Sequence, residues 1–198
     1  MSAMTGLRER KKAATRAALA DAALTLCAEH GVDVVTVEQI ATAAGVSLRT
    51  FFNYFPSKEE AVVAGDMATA EAFVHAFTER PASEPVLVAL GAALHETIPE
   101  QIELGRLKQL RALRHTPSLL PHLMAAYAVR ERELADAVAA RAGIDADADP
   151  YPQMTAAAVM ATLRAIVQWW FDKPDTHTTG QLIDRLIAQL GAGFTRPS

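Results

Sequence analysis

Apolar residues recur every three or four positions along almost the whole chain and nowhere alternate over a length that would make a strand. That spacing predicts an all-α protein. Gly31, Gly45, Pro56, Pro81, Pro99, Pro117, the stretch Gly143 to Pro150, and Pro174 divide the pattern into nine segments of helical length. The first runs from about Arg8 to His30, with Leu19, Ala22, Ala23 and Leu26 on one stripe, and Gly31 stops it. Thr36 with Gln39 and Ser57 with Glu60 are capping boxes that open the second and fourth helices, the fourth running from Lys58 to Arg80. Pro117 suits the first turn of a long seventh helix carrying Leu120, Leu123, Met124, Tyr127, Leu134 and Val138. The last two helices, Pro150 to Phe171 and about Thr179 to Leu190, show strong apolar faces.

Residues 36 to 55, TVEQIATAAGVSLRTFFNYF, read as a capped short helix, a tight turn at Gly45 and Val46, and a second short helix opened by Ser47. Val37, Ile40, Ala41 and Ala44 can face inward from the first member, and Leu48, Phe51, Phe52 and Phe55 form an i, i+3, i+4, i+7 stripe on the second. With Phe51 and Phe55 turned inward, Arg49, Thr50, Asn53 and Tyr54 remain near the outer face. Arginine can bridge guanine N7 and O6, asparagine can bridge adenine N6 and N7, and hydroxyls can hold phosphates. Thr36, Ser47 and Lys58 stand at three helix starts, where backbone N–H groups favour an anion. The expected DNA-facing set is therefore Thr36, Ser47, Leu48, Arg49, Thr50, Phe52, Asn53, Tyr54 and Lys58.

The net charge of −4 argues mildly against a nucleic-acid binder, but its distribution reverses the point. Residues 1–58 hold seven basic side chains against five acidic, and the remainder holds twelve against eighteen. The asymmetry suggests a polyanion-binding head on an acidic body, the alternative being an ordinary solvated surface. Hydrophobic residues make up 51% of the 198-residue chain, enough for a packed core of one large domain or of a small module fused to a larger one. The single cysteine, Cys27, can form neither an internal disulfide nor a thiolate zinc site, which fits a cytoplasmic protein. No uncharged stretch reaches the ~20 residues of a membrane span. The six histidines show no compact ligand spacing, and no phosphate-binding glycine loop or nucleophile motif is present. Neither enzyme chemistry nor a metal or other cofactor is expected.

Across residues 16 to 62 the chain resembles the tetracycline-repressor (TetR/AcrR) transcription regulators. The residues that carry the likeness are Arg16, Ala22-Ala23, Leu26, Gly31, Thr36-Val37, Ile40-Ala41, Ala44-Gly45-Val46-Ser47, Thr50-Phe51-Phe52 and Tyr54-Phe55-Pro56-Ser57-Lys58-Glu59. The resemblance implies a three-helix DNA-binding head, a fourth helix joining it to a ligand-binding body, and dimerisation through the last two helices. On that plan residues 1–56 are the head and 57–198 the body. Phe52 stands where the family usually has tyrosine and lacks the hydroxyl for a phosphate contact, leaving apolar packing or a thymine methyl; Tyr54 carries the neighbouring phenol.

The segment 106–170 is similar to the branch with an acyl-CoA-like ligand-binding C-terminal domain. The expected pocket residues are Phe73, Phe77, Leu107, Leu110, Met124, Tyr127 and Trp170, with Arg111 or Arg114 facing an anionic head group. The alternative is that these apolar residues are solid core and the arginines are surface. Val159, Leu163, Leu182, Leu186 and Leu190 are the expected dimer contacts, against the alternative that they are buried within one subunit. The function expected is a ligand-responsive, homodimeric repressor released from a palindromic operator when a small apolar or acyl ligand shifts the fourth helix. The competing readings are an all-helical small-molecule-binding protein or enzyme with a vestigial DNA-binding head, and an activator or a regulator without a ligand.

Overall fold

The computed structural model describes residues 2–99, 111, 113–172 and 177–193, which form nine α-helices and a short 3-10 turn. They are α1 (Ser2–His30), α2 (Val37–Ala43), α3 (Leu48–Tyr54), α4 (Lys58–Asp66), α5 (Ala68–Glu79), α6 (Val86–Thr97), α7 (Leu120–Ala142), α8 (Tyr151–Asp172) and α9 (Thr179–Gly191), with the 3-10 turn at Pro117–Leu119. No strand occurs among the described residues, so the all-α expectation holds. The helix expected to run unbroken from Lys58 to Arg80 is two helices. Met67 caps α4, its N–H bonding the Val63 carbonyl, and α5 starts afresh at Ala68.

Two compact units divide the chain: Met1–Ala68 with Gln109–Ala126, and Thr69–Lys108 with Tyr127–Ser198. In the first, α4 lies along α1 at very short range. A β-carbon on Gly65 would stand 2.7 Å from the Ala20 carbonyl oxygen, so only glycine lets these backbones meet. Leu19, Ala23, Leu24, Cys27, Ile40, Phe51, Phe55 and Val62 fill the core between α1, α2, α3 and α4. Burial pushes the Cys27 thiol up to about 11, with Lys58 opposing and Glu59 adding to the shift, so it stays a protonated packing group at neutral pH. Nearby, Asp66 in the last turn of α4 meets Arg114: its Oδ1 accepts from Nε at 3.2 Å and Nη2 at 3.1 Å.

The core of the second unit is built from Phe73 and Phe77 of α5, Ala89, Leu90, Ala93 and Leu94 of α6, Leu134 and Val138 of α7, Ala156, Val159 and Met160 of α8, and Ile183 and Leu186 of α9. Arg141, near the end of α7, closes the end of α5. Its guanidinium lies 4.8 Å from the Phe77 ring centroid and donates to the carbonyls of Phe77 at 3.0 Å, Arg80 at 2.8 Å and Pro81 at 2.6 Å. The Phe77 carbonyl also accepts from the Arg80 N–H at 3.4 Å and the Pro81 carbonyl from the Glu84 N–H at 3.1 Å, so Arg141 adds a second donor to each and ties α7 to the turn after α5. A capping box from Thr178 and Gln181 opens α9, and the Thr179 hydroxyl donates to the Pro99 carbonyl at 2.8 Å. Among the described residues no helix is long and apolar enough to cross a membrane, and no group of three or more His, Cys, Asp or Glu could hold a metal ion.

Candidate functional site

The helix-turn-helix is assembled by short-range chemistry. The Gln39 amide N–H donates to Thr36 Oγ1 at 3.3 Å, and the Thr36 N–H donates to Gln39 Oε1 at 2.8 Å, a reciprocal cap that starts α2. Gly45 takes φ of +69°, the left-handed value that lets the chain reverse after Ala44. The Val46 N–H then bonds the Ala41 carbonyl at 2.9 Å, and Ser47 caps α3 by accepting from the Thr50 N–H at 3.1 Å. A second bond of 2.8 Å joins the Ser47 and Thr50 hydroxyls, so the cap orients both.

What α3 presents follows from what it buries. Phe51 and Phe55 are in the core, with ring centroids 6.0 Å apart. Arg49 and Asn53 are exposed, while Thr50 and Tyr54 are half-buried. Phe52 and Leu48, both in the expected DNA-facing set, are exposed, Phe52 by 54%. Phe52 stands edge-on against Phe51, centroids 5.5 Å apart and planes at 87°, which braces it as part of the outer face.

Lys58 requires a correction. Rather than projecting toward phosphates at the start of α4, its ammonium donates to the carbonyls of Val32, at 2.5 Å, and Val35, at 2.8 Å. It ties the loop between α1 and α2 to α4, because those loop carbonyls lie outside any helix and need donors. Sequence gives no hint of this, since the partners are 26 and 23 positions away. Arg16, carried in the resemblance without a role, places its guanidinium 4.9 Å from the centroid of the Phe55 ring, beside the end of α3.

The pocket and interface residues scatter. Phe73 and Phe77 are core of the second unit, Tyr127 is half-buried with the Arg164 guanidinium 5.6 Å from its ring centroid, and Trp170 donates from Nε1 to the His177 carbonyl at 3.2 Å. Met124 is 47% exposed. Arg111 is exposed, and Arg114 is engaged by Asp66. Leu107 and Leu110 lie outside the described residues. Val159, Leu182 and Leu186, expected between subunits, are buried within the chain, while Leu163 and Leu190 are half-buried against the same core. α6 supplies the partner: Ile187 of α9 packs 3.2 Å from where a β-carbon on Gly91 would stand.

The model of the bacterial regulatory proteins of the tetR family matches residues 19–64, and the MftR C-terminal domain model matches residues 81–195. The chain belongs to the TetR family. It is a ligand-responsive, DNA-binding transcriptional regulator. The transcriptional regulator TcmR of Streptomyces glaucescens is 34% identical over 97% of this chain and 91% of its own length. MftR of Mycobacterium tuberculosis, a transcriptional regulator named for mycofactocin biosynthesis, is 30% identical over 94% of each chain. Among solved structures, SmeT, the repressor of the Stenotrophomonas maltophilia multidrug efflux pump SmeDEF, shares the fold at a TM-score of 0.59 with 20% identity, over 92% of this chain and 94% of that one. TetR regulators bind operator DNA and small-molecule effectors and act as dimers.

Proposed function

We propose that this TetR regulator is a cytoplasmic repressor that holds a palindromic operator as a homodimer and leaves it when a small apolar or acyl ligand binds. The observation that carries the DNA half is the division of α3, with Phe51 and Phe55 buried and Arg49 and Asn53 turned out. Residues 1–56 read the DNA, with ligand binding and pairing left to 57–198. In this reading Arg49 bridges guanine and Asn53 adenine, the hydroxyls of Thr36, Ser47, Thr50 and Tyr54 meet phosphates, and Leu48 and Phe52 contact thymine methyls. Two-fold symmetry sets the two α3 helices on major-groove faces ~34 Å apart, and a ligand that prefers another arrangement of the dimer releases the operator.

For pairing, the outer face of α8 replaces the buried leucines. Tyr151, Met154, Ala161, Ala165 and Trp169 are exposed, with Ala158 half-buried among them, at the three- and four-residue spacing of a helix-packing stripe. Small residues at its centre suit close approach of a second copy in a four-helix arrangement with α9. The ligand is assigned to the second unit, near Phe73, Phe77, Tyr127 and Trp170. Arg164, stacked on Tyr127, is the cation placed for an anionic head group.

Arg49→Ala is expected to cost about 1–3 kcal/mol at the operator and little on scrambled duplex. Gel-shift titration on both duplexes checks it, and an equal loss on the two would remove Arg49 from base reading. A long-chain acyl-CoA added to the protein–operator complex is expected to free the DNA. If neither acyl-CoA nor free fatty acid does so, the acyl class is wrong.

A further inference from the structure

The geometry points to Lys58 as a positioning residue of the DNA-reading head: its ammonium fixes the peptide between Val35 and Thr36, and through it the start of α2, without meeting a phosphate. The inference rests on the operator-binding reading and adds to it the side chain that sets how α2 is presented.

Two bonds hold one peptide from opposite sides. The Val35 carbonyl accepts from Lys58 Nζ at 2.8 Å, and the N–H of the same peptide, that of Thr36, donates to Gln39 Oε1 at 2.8 Å. Because a peptide is planar, gripping both its oxygen and its hydrogen leaves it little freedom to rotate. The Thr36 hydroxyl, which caps α2, is thereby aimed as well. A chain of hydrogen bonds that begins at a cation polarises each group along it, which strengthens the Thr36 N–H as a donor to Gln39. Lys58 also bonds the Val32 carbonyl at 2.5 Å, and Val32 and Val35 bury their side chains in the core, so the loop is held by both its carbonyls and its side chains. The other end of the tie is equally fixed. Lys58 is the first residue of α4, whose Ser57 cap accepts from the Glu60 N–H at 3.2 Å and whose Gly65 lies against the backbone of α1 at Ala20. The lysine therefore transfers the position of α4 to α2.

What it spans is a cleft of about 400 Å³ on the head. Val34 and Thr36 line it from the loop and the start of α2, Phe52, Pro56 and Ser57 line it from α3 and the corner after it, and Lys58 reaches from the second group to the carbonyls of the first. Its span sets the separation of Thr36 and Phe52, two of the side chains assigned to DNA. Asp33 and Glu59 also line the cleft. With two carboxylates there and the ammonium already bonded to carbonyls, the cleft does not attract a phosphate. The charge of Lys58 acts inward, on the protein's own backbone.

Lys58→Met keeps the length of the side chain and removes both bonds. Parent and variant, full length, are titrated on an operator duplex that the parent selects from a random pool and on its scrambled counterpart, between about 50 and 300 mM salt, at a temperature where circular dichroism shows both folded. Operator affinity is expected to fall roughly tenfold, the scale of one hydrogen bond to a charged group, while scrambled binding and the slope of log affinity against log salt are kept. In the free variant the Thr36 amide is expected to exchange about tenfold faster by NMR. A slope shallower by about 0.9 on both duplexes makes Lys58 a phosphate contact and overturns the inference, as does an operator affinity that holds while only the melting temperature drops. Arg49→Ala, run in parallel, keeps the two readings apart. If it leaves the operator preference intact, base reading by α3 fails, and the Thr36 amide, which needs no DNA, still decides Lys58. If it erases the preference while Lys58→Met changes neither preference nor amide, Lys58 alone is misassigned. Should Lys58→Met fail to fold, Gln39→Met, which frees the other side of the same peptide, takes its place: a lowered operator preference at the parental slope supports the inference, and an unchanged preference overturns it.

Discussion

Leu186→Asp is expected to unfold the second unit and not to release a folded monomer. The apolar face of α9 suggests an intersubunit seam, but Leu186 is only 1% exposed and packs with α6 and the rest of that unit's core. The substitution removes a buried leucine, worth about 1.5–3 kcal/mol in lost transfer alone, and places a carboxylate in an apolar core. The sum exceeds the roughly 4–5 kcal/mol that marks an exceptional point substitution, against a whole-domain stability of about 5–15 kcal/mol. Ala161→Glu is the contrasting case: it lies on the exposed face of α8 and would set two like charges across the two-fold axis. Sedimentation with circular dichroism reads both. A folded monomer from Leu186→Asp would refute its place in the core, and persistent dimers of Ala161→Glu would move the interface away from α8.

Arg114→Met is expected to destabilise the protein by about 3–5 kcal/mol, because it strands a buried carboxylate. Asp66 is 6% exposed and Arg114 17%, and Asp66 Oδ2 has no hydrogen bond of its own. The acid sits in the last turn of α4, where the helix dipole opposes negative charge. The pair thus stabilises mainly by keeping each other's charge compensated. The double variant Asp66→Asn/Arg114→Met should recover much of the loss, since breaking a buried pair costs more than replacing both members. Urea unfolding of the two single variants and the double closes the cycle; additive losses would mean that the two residues are not coupled.

Several features of the DNA head are visible in the letters alone because they depend on neighbours within four positions. Thr36 and Gln39 cap each other, Ser47 caps α3, and Gly45 takes the positive φ of the turn. Phe51 and Phe55, four apart, share the inward side. Leu48 and Phe52, apolar yet expected to face DNA, are exposed beside them. The break at Met67 escapes this logic, since Glu59 to Glu79 contains neither a proline nor a residue that forbids helix except Gly65, which is retained for its contact with α1.

What the sequence determined alone was the all-α class, the helix-turn-helix with its caps and turn, the cationic head against the acidic remainder, and the family. All are properties of local spacing, composition or motif, set by interactions a few residues long. The tertiary structure decided partner choice: Lys58 on the carbonyls of Val32 and Val35, Asp66 on Arg114, Arg141 on the end of α5, and Leu182 and Leu186 turned into their own subunit. An amphipathic period states that a face must be covered but carries no information on what covers it. A long cationic side chain likewise takes whichever acceptors the fold brings within reach, and those lie tens of residues away along the chain.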